Sequence, residues 1–423
     1  MKYKILFFSE ILGAGGGGIA SQRIIDCFKN HETRVISLDK EQNSITLMKY
    51  KIIRFYYRLK RYFVTNSDKF NFNSFNSNIG VYSSKSIKEK IDKFNPDIIV
   101  VTWIEFLISL KTLLELKNQF NSSVIFVAMD NHLLTGGCRY VNECDNYEDK
   151  CNNCIALKEN FKNIATLNYL SYRNYLNKIK PLFMLPSDHS KKFYEKLSLK
   201  FKYFEFDYWP IQHENLTKKT YKENIEKSLL KRKASYNKKI IICPIQKFNE
   251  PRKGWKYLYQ SIIDFQNQFS KSEINLHFVF IGNLEKKHIE SFKNFRVSYE
   301  YFNYLKRHEL ENIYSKSDFG IIPSIQEWAS ISTNEMMTFG LPVINFMTGS
   351  AKNIIIQGKN GFIINLKDIY DLSDKLKIIN SMSNEEMTQM KLFTYDFALK
   401  KFNSEIFEEK LINFYETDKN SVN

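Results

Sequence analysis

YKILFFSEILGAGGGG, residues 3–18, sets a short apolar run against a block of six residues in which five are glycine. An apolar run of this length, followed by glycines and then by an amphipathic stretch, predicts a buried strand, a tight loop and a helix. A second strand is expected at 33–38, so the first forty residues open a parallel α/β unit. Lys2 and Lys4 ahead of the apolar run resemble an export signal, but Glu10 interrupts the run and glycines follow it. A first buried strand is the better reading.

Working outward, strand-like runs recur at 97–103, 123–128 and 182–186, separated by helical stretches. A basic stretch rich in Asn and Phe occupies 49–78. A charged helical segment, ENIEKSLLKRKASY at 223–236, then leads into KIIICPI at 239–245, an all-apolar strand suited to the middle of a parallel sheet. Further strands are expected at 240–243, 276–281, 320–323 and 342–345, with helices between them and at the end. No internal repeat is visible. The fold class is α/β, with an N-terminal domain over 1–212, a second domain over 213–395 and a crossover helix over 396–423.

The chain has 423 residues, 43% of them hydrophobic and 26% charged, which is the composition of a globular protein with full cores. Lys and Arg number 62 against 46 Asp and Glu, a formal net charge of +16, so anionic partners are favoured. The basic residues are not interleaved with aromatics as in a nucleic-acid module, and no nucleic-acid partner is expected. Phosphate-bearing substrates or an anionic membrane face fit the charge equally well. The longest apolar stretch, 98–110, is broken by Glu105 and is shorter than the roughly 20 residues of a membrane helix. The expected location is the cytoplasm, with peripheral contact to the inner membrane face.

The glycine block satisfies G-x-G-x-x-G, and Asp39 follows the next strand where a ribose-binding acid is expected, which is the pattern of a nicotinamide-dependent oxidoreductase. A block that is nearly all glycine matches almost any glycine pattern, and a flexible turn is the plainer alternative. No lysine follows it, which excludes a Walker-type phosphate loop. Gly17 and Gly18 would let backbone amides approach an anion.

The sharper chemistry lies in KFNEPRKG, residues 247–254, at the carboxyl end of the strand that opens the second domain. Lys247, Arg252 and Lys253 place three cations within seven residues, Pro251 fixes the turn, and Gly254 lets the next helix start tightly. A leaving diphosphate is the natural partner for such charge; a solvated charged loop is the alternative. Glu327 and Glu335 follow the strand at 320–323, and TFGLPVINF closes the helix. No Asp-x-Asp metal motif is present, so no metal cofactor is expected to be required for catalysis.

These residues resemble the paired-glutamate motif of family-four retaining glycosyltransferases: an acid, seven residues, a second acid, then a helix end reading roughly Ala-x-Gly-x-Pro-Val. TGSAKNIIIQGKNGFII, residues 348–364, is similar to the family's donor loop and final strand. The resemblance implies two Rossmann-like domains facing across a cleft, with the C-terminal helices crossing back onto the first, and a nucleotide-diphosphate sugar donor, UDP- or GDP-linked. It gives Glu335 the donor ribose and Glu327 the transferred sugar, with amides around Ile331, Ser332 and Thr333 on the phosphates. Lys247 and Lys253 would hold the pyrophosphate, with Arg252 assisting; Lys247 stands where the family more often has Arg.

MDNHLLTGGCRYVNECDNYEDKCNNC, residues 129–154, resembles a subgroup engaged in capsule and exopolysaccharide assembly. Asp130, Thr135, Gly136, Gly137 and Cys138 match. Many members carry His-Asp where this chain has Met129-Asp130, so Asp130 is the expected polar contact to acceptor or sugar, and His132 would substitute only if the loop reoriented. The loss of that histidine motivates a non-catalytic, sugar-nucleotide-binding alternative. Cys138, Cys144, Cys151 and Cys154 contain one C-x-x-C and could hold a structural zinc, form disulfides or pack. Cys27 and Cys243 are expected in the core. The implied acceptor is a glycan or an isoprenoid-linked glycan in surface polysaccharide assembly.

Overall fold

The computed structural model describes residues 2–66, 79–211 and 238–422; the charged segment at 223–236, the 212/213 boundary and part of the 49–78 stretch lie outside them. The chain divides into two compact units, one made of Met1–Pro210 and Ser404–Asn423, the other of Ile211–Asn403.

The first unit is built on six parallel strands: β1 (Lys4–Ser9), β2 (Glu32–Ile36), β3 (Ile98–Trp103), β4 (Ser123–Val127), β5 (Leu182–Leu185) and β6 (Tyr203–Glu205). Their order is β2-β1-β3-β4-β5-β6. The central strands are buried on both faces, and their Ile, Val and Phe runs lack polar alternation for that reason. Helices α1 (Gly15–Cys27), α2 (Ser44–Val64), α3 (Ser84–Ile91), α4 (Leu110–Phe120), α5 (Asn163–Ile179) and α6 (Asp188–Lys196) connect them.

The second unit repeats the architecture with different wiring. Strands β7 (Lys239–Lys247), β8 (Leu276–Asn283), β9 (Ser298–Phe302), β10 (Phe319–Ile322), β11 (Val343–Phe346) and β12 (Gly361–Ile364) lie in the order β12-β11-β10-β7-β8-β9, all parallel. Around them run α7 (Trp255–Gln266), α8 (Lys286–Ser291), α9 (Arg307–Lys316), α10 (Ile331–Thr338), α11 (Ala351–Ile354), α12 (Ile369–Ser381) and α13 (Asn384–Lys401). Ser383 and Glu386 close a reciprocal capping box at the start of α13. Lys391 on that helix is buried, donating to the Ser317 carbonyl at 2.6 Å, while Asp318 accepts from the Ile240 amide at 2.8 Å. One buried charge pair thus ties α13 to the start of β7 and β10.

The last helix, α14 (Ser404–Val422), belongs to the first unit. Tyr3 donates to Glu416 at 2.5 Å, His31 meets Glu408 at 3.1 Å, and Phe407 packs edge-on against Phe206. The crossover helix expected over 396–423 begins later: residues up to Lys401 complete α13 in the second unit, and the chain joins the first unit from Ser404. Among the described residues, no helix is long and apolar enough to cross a membrane.

In open parallel sheets ligands collect at the carboxyl edge where strand order reverses, because connections there diverge to opposite faces. That point lies between β1 and β3 in the first sheet and between β7 and β10 in the second. At the second, Gly254 has φ +72°, and a β-carbon on it would stand 1.6 Å from the Pro323 carbonyl oxygen. Gly254→Ala is expected to destabilise the protein by at least about 2 kcal/mol, read as a lowered urea midpoint; an unchanged midpoint would show that the two loops are not pressed together.

Candidate functional site

The turn after β7 and the loop after β10 meet at the carboxyl edge of the second sheet. The Ile325 amide donates to the Arg252 carbonyl at 2.7 Å, which fixes the two segments side by side. On this frame Lys253 Nζ lies 2.5 Å from Glu327 Oε1, and the Arg252 guanidinium reaches the same oxygen at 3.1 Å. Arg252 also binds Glu250 at 2.5 Å and is itself buried. Burial opposes ionisation of Glu327, but the charges of Lys253 and Arg252 outweigh it and hold the carboxyl below its usual range. The Glu327 amide donates to the Thr348 hydroxyl at 3.2 Å, linking the loop to the segment after β11. The result is a dry, preassembled arrangement of two cations on one acid, able to meet further negative charge without reorganising. Lys247, at the end of β7, is exposed.

Glu335 is buried on α10 and paired with Arg307 from the start of α9, which also holds Glu311 at 2.5 Å. Of the two glutamates only Glu335 is helical; Glu327 sits in the loop before α10. Arg307 was not singled out from the sequence, because its partner is 28 positions away and nothing local marks it. At the head of α10, the Ser330 hydroxyl accepts from the Thr333 amide at 3.3 Å. That capping bond occupies one of the three amides expected to face phosphate, leaving those of Ile331 and Ser332 outside it. The Thr333 hydroxyl is fully buried and has no hydrogen-bond partner among the described residues.

The first unit carries a separate polar cluster where β1, β3 and β4 end. Asp130 accepts from the His132 amide at 2.9 Å and lies 3.4 Å from the His132 ring, so the tight turn itself brings the histidine to the acid. Arg139 reaches Asp130 at 3.7 Å, forms an ion pair with Glu105 and stacks 4.3 Å over Trp103. Burial disfavours the Asp130 carboxylate, but His132 and Arg139 together keep it below its usual range. Trp103, Met129, Asp130 and His132 line a small pocket with the inner residues of β3 and β4. Glu10 completes the cluster. It accepts from the Tyr50 hydroxyl at 2.6 Å, and burial, reinforced by Glu105, pushes its carboxyl up to about 7 against Tyr50, Arg139 and Arg54.

The glycine block is shaped by its own chain. A β-carbon on Gly17 would stand 2.6 Å from the Trp103 ring, and one on Gly18 would stand 3.2 Å from the Ile11 carbonyl. The Asp39 carboxylate accepts from the Leu12 amide inside the loop. That use of the acid departs from the dinucleotide pattern, in which it would hold a ribose.

Burial and mutual repulsion raise Cys138, and burial pushes Cys151 up to about 12, its sulfur accepting from the Gly136 amide at 3.1 Å. All six cysteines are free thiols, and among the described residues no three His, Cys, Asp or Glu side chains are placed to hold a metal ion. Of the four cysteines expected to hold a zinc, Cys151 and Cys154 are buried and Cys138 and Cys144 half-buried. Cys27 and Cys243 are buried in the cores, as expected.

Residues 226–392 match the family described as "Glycosyl transferases group 1". No curated protein matches the chain. Solved structures similar to it include Anabaena HepE in complex with UDP-glucose, at 12% identity and TM-score 0.60, covering 98% of this chain and 100% of that one. A glycosyltransferase from Rickettsia africae, at 16% identity and TM-score 0.59, covers 98% of each. A trehalose-6-phosphate structure from E. coli bound with UDP-2-fluoro glucose, at 11% identity and TM-score 0.61, covers 97% of this chain and 98% of that one. The fold is that of two-domain, B-type glycosyltransferases, and the match to the group 1 family covers residues 226–392, within the second unit.

Because the folded pKa of Glu10 is raised, its contribution to stability is complete below the unfolded value and is lost as pH rises through about 7. Relative to Glu10→Gln, the native protein is expected to lose up to about 3 kcal/mol between pH 5 and 8. Urea titrations of both proteins across that range measure it, and parallel curves would mean that Glu10 is not buried as described.

Proposed function

We propose that the protein transfers a sugar from a nucleoside diphosphate donor, UDP- or GDP-linked, to a hydroxyl of a glycan or isoprenoid-linked glycan, in the assembly of a surface polysaccharide. The observation that carries this reading is the buried Arg252–Lys253–Glu327 network, beside Glu335, at the carboxyl edge of the second sheet where β7 and β10 diverge. UDP-sugars in the similar Anabaena and E. coli structures favour a uridine donor.

In this reading Glu335, oriented by Arg307, accepts hydrogen bonds from the ribose diol, while the Ile331 and Ser332 amides face the phosphates. Lys253, Arg252 and Lys247 neutralise the diphosphate as it departs. The anomeric C–O bond to the β-phosphate breaks with its electron pair passing to phosphate oxygen. The acceptor oxygen bonds to the same carbon on the same face, and its proton moves to the departing phosphate. Configuration is retained, and Glu327 serves as a support that keeps the cations in place. Asp130 and His132 bind the acceptor or the transferred sugar in the first unit, together with the pocket beside Trp103. A nicotinamide reaction leaves the second-unit network without a task.

Two measurements test the reading. A thermal-shift screen across nucleotides and nucleotide sugars should show one base raising the melting temperature, equivalent to about 2.7 kcal/mol at a hundredfold excess over Kd. Glu335→Ala, and the milder Glu335→Gln, should abolish that shift; an unchanged response removes Glu335 from the donor site. Lys253→Ala should lower kcat about 100-fold or more, whereas donor binding without any turnover by the native protein would mark a binding module.

A further inference from the structure

Helix α2 shows solvent an unusual face. Ile45, Met48, Ile52, Phe55, Leu59 and Tyr62 recur at helical spacing and are all exposed, Ile45 at 69%, Phe55 at 66% and Tyr62 at 77%. At 3.6 residues per turn they fall within an arc of about 100°. Elsewhere among the described residues, exposed large apolar side chains are scattered, which is ordinary; here they form one continuous stripe.

The opposite face of the same helix is fixed to the first unit. Tyr57 and Val64 are buried, Tyr57 packs 5.1 Å from the Phe106 ring, Lys49 donates to the Val81 carbonyl at 2.8 Å, and Tyr50 donates to Glu10. The exposed stripe is therefore an outer surface of a docked helix. Its charge identifies the occupant. Ser44–Val64 contains six basic residues (Lys49, Lys51, Arg54, Arg58, Lys60 and Arg61) and no acid. Lys51 and Arg58, both exposed, flank the stripe on one side, so the apolar strip carries a cationic margin. Such a helix lies in the interface of an anionic bilayer, its aromatic and aliphatic side chains at acyl depth and its cations among the headgroups.

We infer that α2 is an interfacial membrane anchor that seats the first unit on an anionic lipid surface. This deepens the reading of a lipid-linked acceptor, on which it rests for its purpose but not for its evidence. Tyr50 joins the anchor directly to Glu10, so the bilayer lies against the element that closes the Asp130–Arg139 cluster. An acceptor held in a membrane by an isoprenoid tail would then meet that cluster without leaving the lipid.

The test uses the full chain and vesicle co-sedimentation without donor or acceptor, so that its outcome is independent of the transferase assay. Vesicles containing phosphatidylglycerol should bind the protein and pure phosphatidylcholine should bind it weakly, the difference shrinking as salt rises. Phe55→Glu with Leu59→Glu should abolish binding, and Lys51→Glu with Arg58→Glu should weaken it by about fivefold or more for each site. Circular dichroism and the donor-induced thermal shift should stay as in the native protein, since these side chains face away from the core. Equal binding to both vesicles, or undiminished binding by the Phe55/Leu59 variant, overturns the anchor. So does a dimer that the same variant dissolves in sedimentation equilibrium while vesicles go unbound, which would make a second copy the occupant.

Discussion

A buried carboxylate that holds two cations at once is the constraint around which the second unit is arranged. Glu327 is removed from water, and an isolated acid there would be protonated; Lys253 and Arg252 reverse that balance. For both to reach one oxygen, the turn after β7 must press against the loop after β10. Only a residue without a β-carbon can stand at 254, where the chain takes a positive φ against the Pro323 carbonyl. The turn residues, the neighbouring strands and the ion pairs are therefore one device. Removing a member leaves charge stranded in a dry environment, which is a larger effect than any single contact accounts for.

The first unit solves a similar problem with different parts. Its acids Glu10, Glu105 and Asp130 are gathered at strand ends and share Arg139, and Glu10 is left at the point where it exchanges its proton near neutrality. The two sheets thus place titratable groups at their respective reversal points with opposite electrostatic character. The second sheet offers cations held on an acid; the first offers acids sharing a cation. A donor with two phosphates and an acceptor with hydroxyls are the complementary substrates in the proposed reaction.

Much of the fold was legible in the residues because parallel strands buried on both faces have an unmistakable signature. FFS after KIL, IIVVT and KIIIC leave no polar alternation to misread. The edge strands β6 and β9 were not foreseen. YFE is three residues long, and SYEYF carries an acid and half-exposed tyrosines, since an edge strand has one fewer neighbour to demand apolar side chains. The cation turn and Glu335 were legible from type and spacing. Arg307, Arg139 and Glu105 were not, for their partners are 28 to 34 positions distant and only folding brings them together. In the cysteine loop, spacing pointed to a metal, and nothing local marked the bond that Cys151 accepts from the Gly136 amide.

The chain has four tryptophans, and their settings differ. Trp209, Trp255 and Trp328 are buried, while Trp103 is half-buried, lying under the Arg139 guanidinium and against the first turn of α1 at Gly17. Its indole is thus the one a dissolved quencher reaches most readily, and it sits among the groups assigned to the acceptor. The native emission spectrum carries a built-in optical reporter of that corner of the first unit, with no label to attach and no residue to replace.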